Sequence, residues 1–152
     1  KIAFSCSNAR ADTVKTKPAF RSAYKSRRCL IPADGYYEWL RKGKDKLPYL
    51  YEFDGGKVFS LAGLWESWTD PAVSSAKPLE TFTLITTDAN ELAAEIHDRM
   101  PVIVHPDDRQ AWLAGDEIPL GPFPTNGMSA RRVSTFVNNS RNEGAECIVS
   151  PA

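Results

Sequence analysis

Residues 47–65, LPYLYEF-DGG-KVFSLAGLW, set two strand-like runs about a Gly-rich turn. Aromatic and aliphatic runs broken by Asp-Gly predict an antiparallel hairpin. A lone hairpin is marginal in water, so a chain built this way needs more strands or a covering helix. TFTLITT (81–87) supplies one strand, alternating and β-branched. IAFSCSN (2–8), PVIV (101–104) and RRVSTFV (131–137) are short enough to be others. RRCLIPADGYYEWL (27–40) runs apolar to Pro32, turns at Asp34-Gly35 and continues into aromatics around Glu38. RKGKDK (41–46) and TDPAVSSAKP (69–78) read as polar surface loops.

Helical patterns are few and short. In DANELAAEIH (88–97), Asp88 can N-cap with Glu91 three residues on, Leu92 and Ile96 share a face, and Pro101 stops the pattern. PDDRQAWLAG (106–115) opens with proline and two acids and has Gly115 past its end. Many short strands with two or three helices predict an α+β fold on a bent, largely antiparallel sheet. At 152 residues the chain suits a single domain over 1–152.

Composition excludes little but directs attention. Lys+Arg and Asp+Glu balance at 19 each, so any nucleic-acid contact must come from a local basic patch. No apolar run approaches a membrane span, and no charged-then-apolar leader opens the chain. Cys6, Cys29 and Cys147 are odd in number and lack paired metal-ligand spacing, which predicts reduced thiols in a cytoplasmic protein with no metal or cofactor. The chain opens on Lys1 rather than Met, which raises the expectation of a missing upstream segment.

Two segments carry candidate chemistry. His97, one of two histidines, follows the helical pattern in His97-Asp98-Arg99. At a helix end the macrodipole favours imidazolium, which suits a general acid, and the same position suits a plain C-capping histidine. Glu38 lies between Tyr37 and Trp39, so strand alternation places it on the opposite face. Facing a pocket, its carboxyl would hold its proton more tightly and serve as acid or base; facing water, it is an ordinary strand carboxylate. Asn8 and Arg10 in NARAD share a face if extended, and an amide beside a guanidinium can hold a phosphate and its sugar. Arg21, Lys25, Arg27 and Arg28 interleave with Phe20 and Tyr24. That pattern fits backbone tracking with stacking aromatics, or a solvated basic face.

Taken in order, NARADTV...KPAFR, RRCLIPADGYYEW, FSLAGLWE, TFTLITTDAN, IHDRMPVIV and VNNSRNEGAEC resemble the SOS response-associated peptidase (SRAP) family, whose members crosslink to abasic sites in single-stranded DNA. The resemblance runs through nearly the whole chain. It implies an open barrel-like core of bent sheets flanked by short helices. It also implies a chemistry: a terminal cysteine, freed by Met removal, offers its α-amine to the abasic aldehyde and closes a thiazolidine with its thiol. By the same resemblance Glu38 positions the amine and moves protons, and His97 protonates the sugar oxygen as the ring opens. Asn8 holds the cysteine and sugar, while Arg10 and Arg99 grip phosphates; the basic stretch adds Arg21 as a further DNA contact. Peptidase action in such a family is self-directed, removing residues ahead of the active cysteine.

This chain departs from that pattern at its opening. The Cys-Gly-Arg start and a tryptophan-rich stretch are absent, and Lys1 has two amines but no thiol. A fragment of a longer protein is the expected reading. Two alternatives differ in class: a non-catalytic single-stranded-DNA binding module, which needs the arginines but not His97 or Glu38, and a conventional hydrolase in which those two activate water. The chain supplies no Ser/His/Asp order or metal motif for the latter. A monomer in the cytoplasm, on the nucleoid (or in a nucleus), meeting abasic single-stranded DNA, is the expected setting.

Overall fold

A computed structural model describes residues 6–73, 75 and 77–151. In chain order its strands are β1 (Asn8–Arg10), β2 (Arg28–Ala33), β3 (Gly35–Lys42), β4 (Asp45–Phe53), β5 (Phe59–Trp68), β6 (Leu79–Asp88), β7 (Arg99–Pro101), β8 (Ile103–Val104) and β9 (Met128–Arg132). The described helices are short: α1 (Arg21–Ser26), α2 (Glu91–Ala94) and α3 (Arg109–Ala114), with single 3-10 turns at Pro106–Asp108, Thr135–Asn138 and Ala145–Cys147. The fold is α+β, with one mixed and one antiparallel sheet, neither closed into a barrel. Of the entering strand expected over 2–8, residues 2–5 lie outside the described residues, and β1 begins at Asn8. The chain divides into two compact units.

The first unit comprises Lys1–Ile31, Ser60–Thr87 and Pro101–Gly121. Its sheet runs β1-β6-β5-β2, with β8 also pairing β5. The first half of β5 is buried on both faces, as its largely apolar run, interrupted only by Ser60, requires, and the strand emerges into solvent from Trp65. β6 alternates instead, burying Thr83, Ile85 and Thr87. β1 lies parallel to β6 with Ala9 opposite Ile85, so a three-residue strand is anchored by one buried alanine. Trp112 on α3 has no exposed surface and donates its Nε1–H to the Cys29 carbonyl at 2.9 Å. Gly115 ends that helix with φ 94°, a left-handed conformation that favours glycine. Val14, Phe20, Tyr24, Leu64, Ile85 and Trp112 all belong to one continuous core.

The second unit comprises Pro32–Phe59, Asp88–Met100 and Pro122–Ala152. Its sheet is β3-β4-β9, antiparallel throughout. β3 and β4 form a hairpin across Gly43-Lys44, with Lys42 opposite Asp45 and Gly43 at φ 63°. Glycine at the first central position is the residue order of a type II′ turn. RKGKDK, expected as a surface loop, is therefore the tip of a hairpin.

The hairpin expected over 47–65 does not form. β4 pairs with β3 and β9, while β5 joins the other sheet. Asp54-Gly55-Gly56 does turn, with positive φ at all three residues and Lys57 N–H closing on Phe53 O at 2.9 Å. Asp54 N–H bonds Gly127 O at 2.8 Å, and the segment leading into β9 takes the edge of β4 that the expected partner would have used. The run into β5 is apolar enough to be buried on both faces, and a two-sided core strand has no place on a solvated ribbon.

β5 passes close to its neighbours at Gly63. A Cβ there would lie 2.1 Å from Ile31 Cδ1 and 3.1 Å from both Cys29 Sγ and the Thr83 carbonyl oxygen. Gly63→Ala should therefore destabilise by about 1–3 kcal/mol, the usual cost of overpacking. Gly121→Ala, whose Cβ would meet nothing within 4 Å, should change the urea midpoint little. Denaturant melts of the two variants compare these directly, and equal midpoints would refute the close approach.

Candidate active site

Glu38 projects from the middle of β3, half-buried and directly opposite Tyr49 of β4. Strand alternation puts Tyr36 on its face, and the register adds Tyr51 opposite Tyr36. Beyond Tyr49, Arg132 of β9 occupies the next position across. Tyr37 and Trp39 belong to the other face, where their rings lie 6.1 Å apart and Trp39 Nε1 donates to Asn138 Oδ1 at 2.7 Å. The alternation read from the sequence is observed. Burial pushes the Glu38 carboxyl above the ordinary carboxylate value; attraction to His97 and a backbone N–H bond from Trp39 pull it back, and repulsion from Asp98 pushes it up.

His97 arrives from the loop after α2. That helix spans only Glu91–Ala94, and Asn90, not Asp88, caps it: Asn90 Oδ1 accepts from Ala93 N–H at 2.9 Å. Asn90 also donates to the Phe123 carbonyl at 2.8 Å, fixing the helix start to the chain ahead of β9. Asp88 is instead the partner of Arg99, at 2.6 Å from Nη1. A macrodipole argument for His97 does not carry over to a four-residue helix, whose few peptide dipoles sum to little.

The backbone at His97 still closes the helix end, its N–H bonding Ala93 O at 2.9 Å. The ring does not cap it. Nδ1 accepts from Arg99 N–H at 3.0 Å, which requires a lone pair there and places the proton of the neutral ring on Nε2. Asp98 Oδ1 lies 3.2 Å from the same Nδ1. These two contacts exclude each other at one protonation state: the neutral ring takes the Arg99 N–H, and a protonated ring would donate to Asp98 instead. The histidine side chain is 46% exposed, so a substrate can reach it. A half-buried carboxyl and an exposed imidazole in electrostatic reach of each other can pass a proton to and from a reacting group.

Arg99, two residues beyond, has a side chain only 16% exposed and ion-paired with the exposed Asp88. Asn8, Arg10 and Arg21 belong to the first unit. Asn8 and Arg10 are exposed on one face of β1 about buried Ala9, as the alternation required. Arg10 Nη2 lies 2.8 Å from Asp12 Oδ2. Arg21 is exposed at the first position of α1.

The basic stretch around α1 does not offer the aromatic platform its sequence suggested. Phe20 and Tyr24 are each 4% exposed and belong to the core. Arg27 pairs with Glu66, and the Arg28 guanidinium lies 4.2 Å from the Tyr24 ring and 4.5 Å from the Trp112 ring. Arg28 also donates to the backbone carbonyls of Tyr24 and Asp116. Phe20, Tyr24, Arg27 and Arg28 hold the unit together, leaving Arg21 and Lys25 facing solvent. Cys29 and Cys147 are free thiols, and no group of three His, Cys, Asp or Glu among the described residues could hold a metal ion.

A family model described as SOS response associated peptidase (SRAP) matches residues 1–140. The chain belongs to this family. It is 40% identical over 158 residues to the abasic site processing protein YoqW of Bacillus subtilis, covering 99% of this chain and 69% of that protein. It is 34% identical over 174 residues to the abasic site processing protein HMCES of Gallus gallus, covering 98% and 51%. A crystal structure of a Bacteroides thetaiotaomicron protein superposes with a TM-score of 0.83 at 34% identity, covering 95% of this chain and 66% of that one. This SRAP chain thus spans about two thirds of its bacterial relatives and half of the vertebrate one.

What the sequence reading missed at the site is the tyrosine surround. Tyr36 was accessible from the period of two alone; Tyr49 and Tyr51 required the β3–β4 register, which the misplaced hairpin concealed.

Because the folded protein binds the Glu38 proton more tightly than the unfolded chain does, this group favours folding at low pH. That contribution is lost as pH rises above 4.5 and through the raised folded value. Glu38→Gln, an uncharged isostere, should raise Tm at pH 7 and confer little benefit near pH 4. Thermal melts across that range test it, and a variant destabilised equally at both pH values would contradict the buried-carboxyl account.

Proposed function

We propose that this chain binds abasic sites in single-stranded DNA and, in a protein bearing the family's terminal cysteine, crosslinks to them, with Glu38 and His97 as its acid–base pair. The observation that carries this reading is the placement of a half-buried carboxyl, its proton held tightly, within electrostatic reach of an exposed imidazole. The abasic site processing relatives support the choice of substrate. In a protein bearing the family's terminal cysteine, the α-amine adds to the abasic aldehyde carbon and water leaves to give an imine. The thiol then adds to the imine carbon, closing a thiazolidine with no net oxidation. His97 donates to the sugar oxygen as the ring opens, and Glu38 takes and returns the amine proton. Asn8 orients the cysteine and sugar.

Arg10, Arg99 and Arg21 are the proposed phosphate contacts. Arg10 and Arg99 each already face a carboxylate, Asp12 and Asp88, so phosphate binding at these two positions is an exchange of partners. Autoproteolytic peptidase action would use the same pair on the residues ahead of the cysteine.

Two measurements test the proposal. In a version carrying the Cys-Gly-Arg opening, His97→Ala should slow adduct formation on abasic DNA by about a hundredfold or more. An unchanged rate would return His97 to a structural role. Arg99→Ala should weaken single-stranded-DNA binding and flatten its salt dependence. Asp88→Asn, which removes the competing carboxylate, should tighten binding by about two- to fivefold, the worth of an ion pair whose carboxylate lies in solvent. If neither variant alters affinity, the phosphate assignment of Arg99 fails.

A further inference from the structure

The face of the β3-β4-β9 sheet that carries Glu38 also carries two phenols whose hydroxyls are buried without a hydrogen-bond partner. Tyr36 and Tyr51 stand opposite each other across β3 and β4, their rings stacked 4.9 Å apart at 6°. Tyr51 has no exposed surface, and the hydroxyl oxygens of both residues find no donor or acceptor. A buried hydroxyl left unpaired is costly, and native interiors rarely keep one without a purpose. Glu38 is two residues from Tyr36 on the same strand and face, which makes it the diagonal neighbour of Tyr51, within reach of an aromatic side chain. The arrangement therefore holds a donor without an acceptor beside a carboxylate that takes a backbone N–H from Trp39.

We propose that Tyr51 is a positioning residue for Glu38: its buried hydroxyl donates to the carboxylate when Glu38 ionises, holding it on the tyrosine face beside His97. A turn about the Glu38 side-chain torsions is the motion that joins them. No bond is made or broken, and the phenol keeps its proton, since burial pushes the Tyr51 hydroxyl up to about 12. The stacked Tyr36 ring fixes the plane of Tyr51 and so the direction of its hydroxyl. The assignment deepens the reading of Glu38 as the working carboxylate and rests on it. Titratable and charged groups facing Glu38 are Tyr36 on its own strand, Tyr49 and Tyr51 on β4, Arg132 on β9, and His97 and Asp98 from the loop after α2, with Glu95 acting on Tyr51.

The test is a carboxyl-carbon NMR titration of Glu38 in the 152-residue chain. Tyr51→Phe keeps the ring and its stacking and removes only the hydroxyl. Losing a donor to the ionised form should raise the Glu38 midpoint by about one pH unit. Tyr36→Phe should leave that midpoint within error of the parent. A Tyr51→Phe midpoint equal to the parent's, in a variant with a native spectrum, would overturn the proposal, as would equal shifts in both variants. The readout needs no DNA, so it stands apart from the functional reading. A shifted midpoint together with a normal DNA reaction in Glu38→Gln would place the fault in the role given to Glu38 and not in Tyr51.

Discussion

The pairing of Glu38 with Tyr49 across β3 and β4 is the constraint on which the second unit's chemistry depends. A strand has a period of two, so slipping this register by one residue would send Glu38, Tyr36 and their neighbours to the other face. Nothing in β3 alone forbids the slip, because GYYEWL is aromatic on both sides. The two-residue turn at Gly43-Lys44 fixes it from one end, with Lys42 opposite Asp45. The stacked tyrosines fix it from the other. Between them the carboxylate has one place to be, and its proton affinity follows from that place.

Charge is used economically in this molecule. The totals balance, and arginine after arginine already has a counterpart: Arg10 with Asp12, Arg27 with Glu66, Arg99 with Asp88, Arg131 with Glu52. Two kinds of pair are mixed here. Arg27 and Arg28 are tied into the first unit by an acid, carbonyls and rings, and their positive charge serves packing. The carboxylates beside Arg10 and Arg99 are largely exposed, at 55% and 82%, and solvent already competes for them. Exposed pairs are weak and exchangeable, and the Arg27–Glu66 pair, whose carboxylate is itself 53% exposed, differs from them by the further bonds of Arg27 to the Ser22 and Ser26 hydroxyls.

Strand-forming runs, the α+β class and the facing of Glu38 away from Tyr37 and Trp39 were legible in the sequence because each depends on local pattern. Strand partners were not. LPYLYEF-DGG-KVFSLAGLW carries every local mark of a hairpin, and its turn does form, yet the strands go to different sheets because partner choice is settled by burial on the second face. The Asp88 cap failed for a related reason: Asn90 reaches Ala93 N–H and the Phe123 carbonyl together, and Asp88 is drawn to Arg99 from eleven residues away. Phe20 and Tyr24 looked like base-stacking residues among basic ones; which side of a short helix faces the core is decided by Trp112, distant in sequence.

That tryptophan has an optical consequence. Of the chain's four tryptophans, Trp112 is wholly enclosed, while Trp65 and Trp68 are 38% and 57% exposed and Trp39 is partly covered. An indole shut away from water emits at shorter wavelength than one in water, so the blue edge of the protein's fluorescence belongs to Trp112. The first unit thus carries its own gauge: loosening around α3 would redden that edge alone, and an aqueous quencher would reach the other three rings before it.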